Sequence, residues 1–263
     1  YLFLTKTIRE RSRRQSDFST LCRGRIVPQE IADKEAAAKF IEAVGQFERI
    51  MNDSGFVTLT RLAASEITGQ DGKAGIIEKY FSLSQTDTTC LKDIGLYPEE
   101  MRVGDDILCL HTLSDVEDLP GKVGTDTRFE KLSTDRSDCR LSFAAPVGVL
   151  LSCNHVYNQF IFIDDHAENL KNFEQTARNM QSLSRYSRAN QVNKEWIDEY
   201  LNEAHSKGLV SVRCHCNVMA WSDDREELKR IRNDVGSQLA LMECKPRHNT
   251  VDTPTLFWAG IPG

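Results

Sequence analysis

Apolar residues recur every three or four positions in four long stretches of the chain, and this spacing predicts four amphipathic helices. The stretches are residues 28–52, 167–186, 193–204 and 225–242. In the first, the apolar positions are Phe40, Ile41, Val44, Phe47, Ile50 and Met51. Residues 75–83 predict a shorter helix, and residues 115–119 predict a single helical turn.

Other stretches are continuously apolar or alternate between apolar and polar residues, which predicts strands. The clearest is 210–221, and 140–151 and 155–164 are separated by only a few residues, which favours a hairpin or two adjacent strands. Further strands are predicted at 1–5, 56–62, 106–113 and 255–259. The second half therefore has the order two strands, two helices, strand, helix, strand.

This order predicts an α+β fold in which helices cover a mainly antiparallel sheet, with a split βαβ unit in the second half. We expect three parts along the chain. Residues 1–27 form a short strand and a basic flexible arm, 28–138 a first α/β subdomain, and 139–263 a second α+β subdomain.

Composition is that of an ordinary folded protein: 263 residues, 40% hydrophobic and 27% charged, with a formal net charge of -6. These values argue against intrinsic disorder and low complexity. No apolar run approaches the roughly 20 residues needed to cross a bilayer. The eight cysteines are scattered over a chain large enough to fold without disulfides, so we expect reduced thiols and a cytoplasmic location.

Positive charge is concentrated at the start of the sequence. Residues 1–26 contain seven Lys and Arg residues against Glu10 and Asp17, whereas the rest of the chain is acidic. The candidate contacts to phosphate or lipid are Arg9, Arg11, Arg13 and Arg14. The alternative is a solvated loop without a ligand, because the segment lacks interleaved aromatic residues for base stacking.

The segment Gly69–Gly75 resembles a phosphate loop only superficially. The G-x-x-x-x-G-K-[ST] motif needs its first and second glycine five positions apart and a hydroxyl after the lysine. Here Gly69 and Gly72 are three apart, and Ala74 follows Lys73. We therefore expect an ordinary surface turn and no nucleotide site.

Cysteine and histidine neighbours suggest metal or thiol chemistry only weakly. In Cys214-His215-Cys216, successive strand residues face opposite sides, so Cys214 and Cys216 point one way, His215 points the other, and the three cannot close on one ion. A Cys nucleophile paired with His155 or His215, or a site at Cys153-Asn154-His155, would need a proximity that sequence cannot show. The acidic pairs 164–165 and 223–224 precede predicted helices, where capping is the expected role.

Seven stretches of the sequence carry a family resemblance. They are VGQFERIMNDSGFVTLTRL (44–62), AGIIEKYFSLS (74–84), DVEDLP (115–120), LLSCNHVYNQFIFIDD (150–165), QSLSRYSRAN (181–190), NVMAWSDD (217–224) and LFWAGIPG (256–263). Together they closely resemble the TraG conjugation ATPases of conjugative transposons, members of the VirB-type ATPases of type IV secretion. In that family an N-terminal α/β domain precedes a RecA-like ATPase domain, with a W-x-G-x-P-G stretch between them.

The resemblance implies that this chain is the latter part of the N-terminal domain and ends just before the motor domain. It implies no catalytic residue, cofactor or metal here, since ATP and Mg²⁺ would bind the motor of the full-length parent. The implied role is to couple the motor to the membrane channel during DNA transfer, at the cytoplasmic side of the inner membrane. Partners would be other type IV secretion components and further copies of the parent, with DNA contact left open.

Four aromatic residues are the candidate interface. Tyr157, Phe160 and Phe162 alternate with polar residues in 154–165, and Trp258 lies at the expected junction with the motor. The alternative for the first three is an ordinary half-buried sheet strand. Two other functions stay open: a nucleic-acid or anionic-membrane binding module that uses the basic arm, and an independent enzyme that uses Cys and His.

Overall fold

The structure is a computed structural model that describes residues 1–6, 29–55, 57–84, 86, 92–98, 100–113, 115–120, 123, 127–130, 132–184 and 186–261. The chain divides into two compact units, residues 1–91 with 261–263, and residues 92–260. The boundary expected at 138/139 falls inside the second unit, because strands from both sides of it pair in one sheet.

The described residues of the first unit form three helices: α1 (Gln29–Asp53), α2 (Ala64–Thr68) and α3 (Ile76–Ser82). The structure confirms α1 and α3 at the predicted places. The predicted strands at 1–5 and 56–62 are wrong for the residues described there, which belong to no sheet. Instead, the Leu59 backbone amide donates to Asn52 Oδ1 at 2.6 Å and Arg61 pairs with Glu48, so this segment is tied to α1.

The second unit is built on an open antiparallel sheet. Its strands are β1 (Ile94–Tyr97), β2 (Glu100–Val103), β3 (Asp106–Leu113), β6 (His155–Ile163), β7 (Val212–Ser222) and β8 (Arg247–Asn249). They lie in the order β1-β2-β3-β7-β6, with β8 also paired to β3. Two further strands, β4 (Thr127–Arg128) and β5 (Arg140–Leu141), form a separate ribbon.

In the part of this unit that the structure describes, five helices and a 3-10 turn at Val116–Asp118 accompany the strands. The helices are α4 (Ala145–Leu150), α5 (His166–Leu183), α6 (Arg188–Lys207), α7 (Arg225–Leu241) and α8 (Thr253–Ala259). The predicted helices at 167–186, 193–204 and 225–242 and the turn at 115–119 are confirmed. As expected from the acidic pairs, Asp165 caps α5 through the Glu168 amide and Asp224 caps α7 through the Glu226 amide.

The architecture confirms the predicted α+β class with a mainly antiparallel sheet. Both β7 and β8 run antiparallel to β3, so they are parallel to each other, with β3 between them and α7 connecting them. This is the predicted split βαβ arrangement. The main buried cluster packs β3 and β7 against α4 and α7, and includes Leu113, Val147, Val218, Val235 and Leu239.

Two predicted strands of the second half are wrong. Residues 140–151 form only the short β5 and then α4, and residues 255–259 belong to helix α8. Each helix has a proline in its first turn, at Pro146 and Pro254, where the missing amide hydrogen costs nothing. The predicted hairpin of 140–151 with 155–164 is therefore also wrong, and β6 pairs with β7.

No helix in the described ranges has the length and apolarity needed to cross a bilayer.

Candidate interaction surface

Strand β6 forms one edge of the sheet. All nine of its residues pair with β7 in one continuous register, from His155 opposite Ala220 to Ile163 opposite Val212. Among the strands that the structure describes, none pairs with the other side of β6. Alternate backbone N–H and C=O groups on that side are therefore directed away from the sheet, available to another strand.

The usual protection of edge strands is absent from β6. Natural proteins keep edge strands short, or place Lys, proline or a bulge in them to block pairing with a second chain. The sequence HVYNQFIFI contains no Lys, Arg, Asp, Glu or Pro, and its register has no bulge. The opposite edge strand, β1, has only four residues. The sheet therefore presents one long edge of low charge.

Tyr157, the first predicted interface residue, faces the core side of the sheet. Its side chain packs against the main buried cluster formed with α4 and α7. Burial raises the pKa of its hydroxyl above the ordinary value, and the neighbouring Cys216 raises it further. Tyr157 thus anchors β6 to the core and is not part of an exposed interaction surface.

Phe160 and Phe162 lie on the other face of β6. Phe160 is half-buried and its ring lies 5.8 Å from the His215 ring on β7. Phe162 is 51% exposed, with the Arg213 guanidinium 5.6 Å from its ring centroid. Asp164 accepts two hydrogen bonds from Arg213, at 2.8 and 3.1 Å, and so holds that cation over the ring.

An exposed apolar surface, which we call the distal patch, lies where β6 ends and β7 begins. It consists of Ile161, Ile163 and Val212, with exposed fractions of 57%, 75% and 50%, on the face of the sheet that carries Tyr157, whereas the exposed Phe162 lies on the opposite face. Sequence reasoning singled out none of these three residues. The signal it missed is the run of four apolar residues at 160–163, because a strand covered on one face needs only alternate apolar residues.

Trp258 lies on α8, not on a strand. Its ring meets Phe257 edge to face at 5.7 Å, and it is 49% exposed, whereas Phe257 is fully buried. The helix therefore inserts one aromatic into the second unit and presents the next one to its surface. A half-exposed tryptophan has the large apolar area typical of interface anchors.

The predicted phosphate or lipid contacts Arg9, Arg11, Arg13 and Arg14 lie outside the described residues.

The glycine segment 69–75 forms a tight turn followed by the start of α3. Gln70 and Lys73 exchange two backbone hydrogen bonds, of 3.1 and 2.9 Å, across the turn. The Glu78 carboxylate accepts from the Gly75 amide at 2.9 Å. A carboxylate thus occupies the amide that a phosphate would use, and this disfavours anion binding at the turn.

The cysteine and histidine neighbours are separated by the strand alternation. Cys216 belongs to the buried cluster, whereas His215 contacts Phe160 on the opposite face. No group of three or more candidate metal ligands gathers within the described residues. His155 Nδ1 lies 2.9 Å from the Cys153 carbonyl oxygen, and burial raises the pKa of the Cys153 and Cys216 thiols, which disfavours a thiolate nucleophile.

No protein-family model matches the chain, and no curated protein matches it either.

Proposed function

We propose that this chain is a non-catalytic N-terminal domain of a TraG-type conjugation ATPase, which couples the ATP-driven motor to the membrane channel during DNA transfer. The observation that carries the proposal is the long, uncharged edge strand β6 with its distal patch. The resemblance of the seven sequence stretches supplies the biological setting.

An edge strand is a suitable coupling element. A partner segment that adds to β6 gains main-chain hydrogen bonds along nine residues, while its side chains gain apolar contact with the distal patch. A motor performs transport only if such contacts differ in affinity between its nucleotide states. The partner is therefore a strand of another type IV secretion component or of a second copy of the parent.

ATP and Mg²⁺ belong, in this proposal, to the motor domain of the parent. The domain itself acts at the cytoplasmic side of the inner membrane, as a peripheral component. A Cys and His enzyme is disfavoured, because the pKa of the Cys109 thiol is about 12 and that of the Cys244 thiol about 11, mainly through burial.

Placing charge on the edge should interrupt coupling. In donor cells whose own gene carries Ile161→Lys together with Ile163→Lys, we expect the transfer frequency to fall at least about tenfold, because lysine on an edge strand opposes strand addition. The matched control is Val149→Lys with Val251→Lys, two valines that are 63% and 79% exposed away from β6. Mating assays with immunoblotting of the protein would measure both. Normal transfer in the β6 variant at normal protein level would refute the proposal.

Purified protein should release no phosphate from ATP. The Glu78 carboxylate covers the start of α3, and the lysine of the glycine turn, Lys73, is followed by Ala74 without a hydroxyl. We expect the same background rate for the natural protein and for Lys73→Ala in a coupled phosphate-release assay. A measurable turnover that Lys73→Ala abolishes would make the chain an ATPase.

A further inference from the structure

A cleft of about 520 Å³ lies in the second unit, where α7 is next to strands β3 and β8. Its lining combines imidazole, guanidinium and amide groups from His111, His248, Arg232 and Asn233. Neither the glycine turn nor the distal patch contributes to it. The cleft is therefore a separate feature of the molecule.

The strand register brings the two histidines together. His111 on β3 is directly opposite His248 on β8, so both side chains project to the same face of the sheet. Their rings lie 5.4 Å apart with an interplanar angle of 61°. His111 is only 4% exposed, whereas His248 lies at the surface.

The surroundings of His111 determine the protonation state of its ring. Its Nδ1 lies 3.9 Å from the Cys109 sulfur. Burial raises the pKa of that thiol to about 12, so at neutral pH it retains the hydrogen that it can donate to Nδ1. Burial, then His248 and Arg232, lower the pKa of His111 to about 4. His111 is thus a neutral imidazole at physiological pH, with one N–H donor and one acceptor nitrogen.

Positive charge at the cleft comes from Arg232. Its guanidinium has no carboxylate partner among the residues that the structure describes, and its charge lowers the pKa of both histidines. The Asn233 side chain adds an amide donor on the same helix. The Ser237 hydroxyl donates to the Asn233 carbonyl oxygen at 2.8 Å, so it is not a donor for a ligand.

Space for a ligand exists over α7. A Cβ built on Gly236 would meet no atom within 4 Å, so the helix surface is open there. Gly236 is one turn after Arg232 and therefore lies on the same side of the helix. The described residues offer two histidines but no third metal ligand at this point.

We propose that this cleft binds the phosphate group of a small phosphomonoester, or free phosphate, through the Arg232 guanidinium, the Asn233 amide and the N–H groups of His111 and His248. Several donors that line one cleft, together with a guanidinium that has no carboxylate partner among the described residues, match a tetrahedral oxoanion, which has more acceptor positions than a carboxylate. The site does not depend on the function proposed above.

Titration of the purified protein with inorganic phosphate and with glycerol phosphate tests the proposal, with the imidazole nitrogen signals of His111 and His248 followed by NMR. We expect saturable shifts of both residues below about 10 mM ligand. Arg232→Ala should weaken binding at least about tenfold, whereas Arg230→Ala, an arginine of the same helix that does not line the cleft, should change it less than about twofold.

A second variant separates binding from folding. Gly236→Glu places a carboxylate in open space on the helix, so the fold should persist while like-charge repulsion weakens phosphate binding at least about tenfold. The proposal is overturned if phosphate causes no saturable shift, if Arg230→Ala weakens binding as much as Arg232→Ala, or if Zn²⁺ binds the histidines while phosphate does not. Tighter binding of a single-stranded oligonucleotide than of glycerol phosphate, through the same residues, would also overturn it.

Discussion

Replacing Phe257 with alanine should lower the free energy of unfolding by about 3 to 5 kcal/mol. Phe257 is fully buried in α8, which contacts β2 and β3. Alanine would leave a cavity the size of a phenyl ring, and the sheet and helix backbones can close it only in part. Urea denaturation followed by circular dichroism would measure the loss as a lower midpoint with an unchanged slope.

Trp258→Ala is the matched control, because it removes a larger aromatic ring from the next position of the same helix. With half of its side chain exposed, Trp258 should contribute less than about 2 kcal/mol to the free energy of unfolding. On the function proposed above, its effect should instead appear as a reduced transfer frequency in a longer protein that contains the motor. Equal destabilisation by the two variants would show that Trp258 is a core residue and no interface anchor.

Val235→Asp should abolish cooperative folding or lower the free energy of unfolding by more than about 4 kcal/mol. Val235 is fully buried in α7, at the centre of the cluster that packs the helix on β3 and β7. An aspartate there has no cation within the cluster, so its charge would lose hydration without compensation. Thermal and urea unfolding would measure the loss.

The sign of the pH dependence gives an independent check on this variant. Burial raises the pKa of a carboxyl above its unfolded value of about 3.9, so the folded state binds the proton more tightly than the unfolded state. The loss in free energy of unfolding, relative to the natural protein, should therefore be smallest below about pH 4. It should grow as the pH rises through the folded pKa of the aspartate. A pH-independent deficit would mean that the aspartate reaches solvent.

Val149→Asp makes the same chemical change on α4, where the valine is 63% exposed. We expect a change of at most about 0.5 kcal/mol, because the carboxylate stays hydrated. A similar large loss in both variants would indicate that α4 is buried against another surface in solution.

The candidate surface was only partly predictable. The sequence identified residues 155–164 as a strand with aromatic residues, but alternation alone did not indicate that Tyr157 faces the core and that Ile161 and Ile163 are exposed. That assignment depends on where α4 and α7 end along the sheet, which is a long-range property. The histidine pair at 111 and 248 was also missed, since the two residues are far apart in sequence and meet only through the pairing of β3 with β8.

The sequence by itself determined the local features of this protein. Helices α1, α5, α6 and α7, the aspartate caps of α5 and α7, and strands β3, β6 and β7 follow from periodicity and from contacts within a few residues. Short apolar runs were ambiguous: 255–259 and much of 140–151 became helix, and residues 57–62 found no strand partner. Only the tertiary structure decided that β6 forms an edge and that β3 joins β7 and β8, because strand pairing is made between distant segments whose register no local pattern encodes.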